Sequence, residues 1–241
     1  MSIAEKFEVI ADEVYKKGKK DEYDKFWDSF QNYGKRTNYQ DGFAGKGWND
    51  TTFKPKYDIV PVGNLGRAFQ ETELTDLVEV LKQCERKLDT SQVSTFSNAF
   101  HFSYYLTTLP EIDARATTES SPFTSTFGFC KKLKTIEKLI LKEDGSQSFS
   151  STFSYCYELE NIVIEGTIGQ NGFNVQWSTK LSGQSIVSII EALSDTTSGL
   201  TVTLSQTAVD NMAFPIVGNK GTYNSWTDLE QSRTNWTISL V

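Results

Sequence analysis

The side chains in this sequence best suited to chemistry are three cysteines and one histidine. The cysteines are Cys84, Cys130 and Cys156, and the histidine is His101. Thiols and an imidazole can form a disulfide, bind a metal ion, or act together as nucleophile and base. The cysteines are odd in number and widely spaced, which argues against a disulfide framework. Because the His and Cys residues form no cluster in the sequence, we expect no metal site and no cofactor.

The acidic residues are the remaining source of catalytic groups. Asp and Glu number 31, but no pair of them stands in a recognisable catalytic frame. The sequence also lacks a nucleophile elbow, a phosphate-binding loop and a metal-binding motif. It therefore predicts a protein that is not an enzyme.

Two of the cysteines occupy the same place in a phrase that recurs three times. The copies read Phe96-x3-Phe100-x-Phe102-Ser103-x2-Leu106-x2-Leu109, Phe123-x3-Phe127-x-Phe129-Cys130-x2-Leu133-x2-Ile136 and Phe149-x3-Phe153-x-Tyr155-Cys156-x2-Leu159-x2-Ile162. A shorter version, from Leu65 to Leu77, precedes them. Recurrence at this period is typical of stacked supersecondary units, in which each copy buries a face against its neighbour. We expect parallel strands, with two phenylalanines and the Cys or Ser of each copy pointing inward as columns.

At both ends of the chain, apolar residues recur at the spacing of a helix or alternate with polar residues as in a strand. Two apolar stripes predict helices over residues 1–33, which either cap the repeats or form an oligomerising or docking stem. Residues 34–56 are rich in Gly, Asn and aromatic residues, which predicts loops whose rings pack at a joint or form an exposed shelf. Near the C-terminus, Ser182 or Ser185 is expected to cap a helix with Ile186 and Ile189 on its apolar face. A strand at Leu200–Leu204, a short helix with Ala208, Val209 and Met212, and a strand at Trp236–Leu240 would follow.

Three parts of the chain resemble a known kind of protein. The runs Ala99-Phe100-x2-Ser103-x2-Leu106 and Phe127-x2-Cys130-x2-Leu133 resemble the BspA-type bacterial leucine-rich repeat, over about residues 60–166. Residues 179–204 resemble the terminal unit of repeat proteins encoded by gut bacteria and their phages, and residues 23–31 resemble the leader of the phage and prophage proteins. This resemblance implies an α/β fold: an irregular leucine-rich repeat solenoid with short parallel strands, N-terminal helices and a C-terminal strand-helix-strand cap. The expected division is a helical stem and aromatic loop region at 1–56, and a solenoid with its cap at 57–241.

Charge and hydropathy narrow the expected partners. The chain has 241 residues and a net charge of −7, which disfavours binding to nucleic acid. No apolar run is long enough to span a membrane. The N-terminus has no basic segment followed by an apolar one, so we expect no secretory signal. The expected partners are therefore proteins or glycans, and the N-terminal helices offer a route to a homo-oligomer.

Two functions follow as hypotheses. The first is a non-enzymatic protein of a phage or prophage particle, on the tail or capsid surface, that has a structural role or binds a host ligand or another virion component. The alternative is a bacterial cell-surface adhesin that binds a glycan or a host protein. In either case the candidate binding face consists of polar residues on the predicted strands. They are Thr107, Thr108, Lys134, Thr135, Glu137, Glu160 and Asn161.

Overall fold

The computed structural model describes residues 43–44, 48–51, 53–55 and 58–241. The predicted N-terminal helices, and with them the stem and its role in oligomerisation, lie outside the described residues. Strands within the described part are β1 (Val62–Asn64), β2 (Gln92–Thr95), β3 (Thr108–Leu109), β4 (Ile112–Asp113), β5 (Thr135–Ile140), β6 (Asn161–Glu165), β7 (Leu200–Leu204), β8 (Ile216–Val217), β9 (Thr222–Tyr223) and β10 (Trp236–Leu240). Helices there are α1 (Leu77–Gln83), α2 (Gly183–Ala192), α3 (Gln206–Asp210) and α4 (Trp226–Gln231). The chain is thus an α/β protein.

The strands of consecutive repeat copies pair in parallel. β3 and β4 pair with successive parts of β5, and β6 pairs along β5. β1 pairs with β2 and β7 with β10, also in parallel. β8 and β9 form an antiparallel hairpin. Parallel pairing requires a long connection between strands, and the turn-rich part of each copy supplies it.

Each connection is a series of turns that follows the same backbone path in every copy. Positive φ values recur four residues apart, at Asn98 and Phe102 in one copy and at Ser125 and Phe129 in the next. Backbone amides of one copy donate to carbonyls of the following copy, as Phe100 does to Thr126 at 2.9 Å. The turns therefore stack by hydrogen bonds as the strands do, which satisfies backbone groups that would otherwise be buried without partners.

The phenylalanines of the repeats form two buried columns, as the spacing predicts. In the first column, ring centroids of Phe100 and Phe127 lie 5.8 Å apart, and those of Phe127 and Phe153 lie 5.4 Å apart. The degenerate copy joins this column, because Phe69 stacks on Phe100 at 5.1 Å. The second column contains Phe96, Phe123 and Phe149, with centroid separations of 5.7 and 5.0 Å. These seven rings are at most 1% exposed and form the centre of the core.

The first column begins before the repeats, in the aromatic segment that precedes them. Phe43 stacks on Phe69 with a centroid separation of 4.9 Å, and Phe53 meets the same ring edge-on at 6.1 Å. Phe43 is 2% exposed and Phe53 is fully buried. These two rings pack at the joint, so the exposed shelf is the wrong interpretation for them.

The Cys or Ser position of each copy makes the same hydrogen bond. Ser103 Oγ donates to the Phe69 carbonyl at 2.6 Å, and Cys130 Sγ donates to the Phe100 carbonyl at 3.0 Å. Cys156 Sγ donates to the Phe127 carbonyl at 3.1 Å. A small side chain with a donor hydrogen therefore links each copy to the one before it. This explains why the position holds serine or cysteine.

Burial of two thiols predicts a simple pattern of reactivity. Cys130 and Cys156 are fully buried, and burial raises the pKa of Cys130 well above 9.0 and that of Cys156 to about 12. The thiolate is the reactive form, so a disulfide reagent at pH 8 should label only the partly exposed Cys84 in the folded protein and all three thiols after unfolding. Fast labelling of a second thiol without unfolding would contradict the burial. Because burial raises both pKa values on folding, the two thiols leave the free energy of unfolding unchanged below about pH 9. Above that pH the unfolded state ionises first, so the free energy of unfolding falls as the pH rises toward 12.

The C-terminal part follows the predicted strand, helix and strand, with additions. β7 and β10 occupy the predicted residues and pair in parallel over five positions. α3 contains Ala208 and Val209 and ends before Met212, which packs on the core from outside the helix. The β8–β9 hairpin and α4 lie between α3 and β10, and the sequence analysis did not predict them. Among the described residues, no helix is both long and apolar enough to span a bilayer.

The cap of α2 gives a second prediction. Ser182 precedes the helix in extended conformation, and its hydroxyl accepts from the Ser185 amide at 3.3 Å. The same hydroxyl lies 2.9 Å from the Ser185 hydroxyl. Replacing Ser182 by alanine is expected to reduce the free energy of unfolding by about 1 kcal/mol, because it leaves an amide of the first turn without its side-chain acceptor. Urea denaturation measures this, and an unchanged midpoint would show that the cap contributes nothing.

Candidate functional site

The seven predicted face residues lie in or directly before the N-terminal halves of β3, β5 and β6, which belong to one parallel sheet. Equivalent positions of successive copies form two rows. In the first, the Thr107 carbonyl accepts from the Lys134 amide at 2.8 Å, and the Lys134 carbonyl accepts from the Glu160 amide at 2.9 Å. In the second, Thr108, Thr135 and Asn161 are directly paired across β3, β5 and β6. We call these two rows together with Glu137 the sheet face.

Hydroxyl groups at one end of the sheet face are held by the neighbouring copy. Thr107 Oγ1 donates to the Thr75 carbonyl at 2.6 Å, and Thr108 Oγ1 donates to the carboxylate of Asp76. Asp76 also caps α1 by accepting from the Glu79 amide at 2.9 Å. These bonds fix the side chains of the two threonines, so they extend the hydrogen-bonded stack rather than move freely in solvent.

Glu137 lies where β5 carries an extra residue. Ile136 pairs with Ile162 and Leu139 pairs with Ile164, so Glu137 and Lys138 together oppose Val163. Such a bulge turns side chains away from the regular alternation, and Glu137 is exposed there. The bulge therefore presents a carboxylate beside the rows of threonine and asparagine.

Opposite charges on and beside the sheet face are paired. Lys134 Nζ lies 4.0 Å from the Glu160 carboxylate, and Lys138 Nζ lies 3.3 Å from Glu165 and 3.4 Å from Glu111. Hydrogen bonds that the Lys138 ammonium donates to Glu165 and Glu111 raise its pKa. Exposed pairs of this kind contribute little to stability. Chemically, the face offers hydroxyl, amide and paired ionic groups, which suit recognition by hydrogen bonds.

A second surface feature was not predicted as a site. The third aromatic residue of each copy forms an outer column, parallel to the buried ones and partly exposed. Its centroid separations are 4.9 Å from Phe102 to Phe129, 4.4 Å from Phe129 to Tyr155 and 4.9 Å from Tyr155 to Trp177. We call these four residues the aromatic ridge. The repeated phrase contains the first three of them, so their recurrence was the signal that could have identified it.

The single histidine packs against the aromatic ridge. The His101 ring lies 3.9 Å from the Phe102 ring and 5.7 Å from that of Phe129. Burial lowers its pKa, although the nearby Glu71 opposes the shift. In the part of the chain that the structure describes, no group of three His, Cys, Asp or Glu residues could hold a metal ion. Stacking on the ridge is the interaction that the structure gives this imidazole.

Neither a protein-family model, nor a curated protein, nor a solved structure matches the chain.

Proposed function

We propose that the chain is an irregular leucine-rich repeat solenoid that works by binding, through its sheet face, and has no catalytic role. The observation that carries this proposal is the alignment of equivalent positions in rows across one parallel sheet. A row of repeated polar groups suits an extended partner, because each copy adds similar contacts. Two buried columns of phenylalanine support the solenoid, since each copy then buries its apolar face on its neighbours.

We further propose that the protein is a component of a phage or prophage particle, on the tail or the capsid surface. Support comes from the resemblance of residues 179–204 and 23–31 to the terminal unit and leader of phage-encoded repeat proteins. The partners would be other virion components or a protein or glycan on the host surface. A bacterial surface adhesin is the competing function, because repeats of this type are commonly adhesive.

Detection in particles tests the location. Particles are induced from the host, purified by density gradient and analysed by quantitative mass spectrometry, alongside cytoplasmic and cell-envelope fractions. The proposal predicts a constant ratio of this chain to the major capsid protein through the gradient. Reproducible absence from particles would overturn it, and enrichment in the cell envelope would favour the adhesin.

A variant of the second row tests the role of the sheet face. Replacing Thr135 and Asn161 by alanine removes a half-buried hydroxyl and an exposed amide, and this amide also accepts from the Ser182 hydroxyl at 3.3 Å. Incorporation into particles, or attachment of particles to the host, is expected to fall at least about ten-fold. Replacing Thr234 and Asn211, which are exposed outside the sheet face, is the matched control. Equal behaviour of the two double variants would contradict a binding role for the face.

A further inference from the structure

The aromatic ridge occupies a backbone position that does not favour aromatic residues. Phe102, Phe129 and Tyr155 have φ values of 61°, 62° and 60°. In this left-handed region the Cβ atom crowds the following carbonyl, so glycine or asparagine is the usual occupant. An aromatic side chain is nevertheless present in three consecutive copies. Glu71 of the degenerate copy has the same φ of 60°, so the turn path sets the backbone, and the aromatic residue type is what distinguishes these three copies.

Exposed rings gather beside the ridge. The exposed fractions are 40% for Tyr104, 48% for Tyr105 and 39% for Tyr157, while Trp177, at the end of the ridge, is 36% exposed. These four are the exposed aromatic side chains of the described part of the chain. A contiguous aromatic patch on a polar protein is typical of an interaction site. The solvent-facing rings thus lie on one side of the molecule, along the repeats.

A cleft opens at the Phe102 end of the ridge. It has a volume of about 470 Å³, within the range of ligand-binding sites. Its lining combines three rings with polar groups from the preceding copy: Phe102, Tyr104, Tyr105, Glu71, Thr72 and Glu73. The rings offer apolar contact, and the carboxylates can accept several hydrogen bonds.

Charges of both signs lie in or beside the cleft. Glu71 and Glu73 contribute two carboxylates. Lys131 Nζ lies 5.2 Å from the centroid of the Tyr104 ring, and Lys132 Nζ lies 5.2 Å from that of Tyr105. The two carboxylates of the lining disfavour an anion, and the two ammonium groups beside the tyrosine rings, outside the lining, weaken the attraction of a cation. A neutral ligand rich in hydroxyl groups could donate to the carboxylates and accept from the ammonium groups.

We propose that the cleft and the aromatic ridge form a binding site for a neutral oligosaccharide. A sugar has an apolar face of C–H groups, which packs on aromatic rings, and a rim of hydroxyls, which are both donors and acceptors. One sugar unit would occupy the cleft against Tyr104 and Tyr105, and the chain would continue along the open edges of the stacked ridge rings toward Trp177. This site is separate from the sheet face, so it stands whether or not the protein is part of a particle.

A glycan array followed by calorimetry tests the proposal. The full chain is applied to neutral and charged oligosaccharides of bacterial, plant and animal origin, and the strongest neutral ligand is titrated. The expected result is binding of at least one neutral oligosaccharide. Its Kd should rise at least about ten-fold in Tyr104→Ala, and similarly in Tyr105→Ala, because rings at binding sites carry much of the affinity. Glu73→Gln should also weaken binding, through loss of a charged acceptor.

Matched variants separate binding from folding. Val163→Ala alters a residue that is 43% exposed on the sheet, and should leave the Kd within about two-fold. Thermal unfolding of each variant is measured in parallel, and a loss of affinity counts as loss of binding only where the variant is folded at the assay temperature. Binding of charged glycans alone, no binding to any neutral glycan, or an unchanged Kd in both tyrosine variants would overturn the proposal. Loss of a protein partner in the tyrosine variants, with no glycan bound, would show that the patch is a protein interface instead.

Discussion

Replacing Phe127 by alanine is expected to lower the free energy of unfolding by about 3–5 kcal/mol, the largest effect of any single change considered. The ring is fully buried and lies between Phe100 and Phe153, at centroid separations of 5.8 and 5.4 Å. Truncation removes the apolar area of the ring and leaves a cavity whose walls belong to two other copies. Those walls cannot collapse, because each is held by its own strand and turn. Urea denaturation measures the loss as a lower midpoint.

Phe129, in the same copy, provides the control. It belongs to the aromatic ridge and is partly exposed, so its replacement by alanine should cost less than about 2 kcal/mol. The two changes remove the same group, from a fully buried site at Phe127 and from a partly exposed site with left-handed backbone at Phe129. An equal loss in both variants would contradict the assignment of Phe127 to the inner column and Phe129 to the outer one.

Replacing Glu191 by alanine is expected to destabilise the protein by about 2–4 kcal/mol. The side chain is 5% exposed, and its carboxylate accepts from the amides of Asn219 and Lys220 at 2.8 and 2.6 Å and from the Tyr223 hydroxyl at 3.1 Å. It therefore holds the β8–β9 hairpin against α2. A Cβ at Gly218 would overlap the same carboxylate, so the hairpin approaches as closely as glycine allows. Without the carboxylate, three donors lose their acceptor.

Two milder changes provide comparisons for the destabilisation expected of Glu191→Ala. Tyr223→Phe removes one of the three donors and should cost about 1 kcal/mol. Glu191→Gln keeps the size of the side chain and one acceptor oxygen, so it should cost less than the alanine variant. Thermal and urea unfolding of the three variants give the order of their stabilities. A Glu191→Ala variant as stable as Tyr223→Phe would show that water replaces the carboxylate without penalty.

The repeated part of the fold could be predicted from the sequence because its signals are local. Period and residue type together place Phe100, Phe127 and Phe153 in one column, and small side chains at Cys130 and Cys156 agree with a buried position. The sequence also indicated the cap of α2, because Ser182, one of the two candidate serines, stands directly before an apolar helical pattern. In each case the residues that decide the structure lie within one copy or recur at its spacing.

The remaining features depend on contacts that the sequence does not display. The β8–β9 hairpin is held by Glu191, a residue about 30 positions earlier, and nothing in its own sequence marks that carboxylate as buried. The ridge was present in the repeated phrase, but the left-handed φ values at Phe102 and Phe129 turn the rings outward, away from the inner columns. Alternation of inward and outward positions cannot be inferred where the backbone follows turns instead of a strand.

Stacking of the inner phenylalanines is the claim on which the fold, and with it both binding proposals, depends. A set of double-mutant cycles with leucine replacements tests it most directly. Phe127 should couple to Phe100 and to Phe153 by about 0.5–1.5 kcal/mol each, the range for adjacent aromatic rings. Phe100 and Phe153, which lie on opposite sides of Phe127, should be additive to within about 0.5 kcal/mol. Additivity in all three cycles, or the strongest coupling between Phe100 and Phe153, would contradict the column.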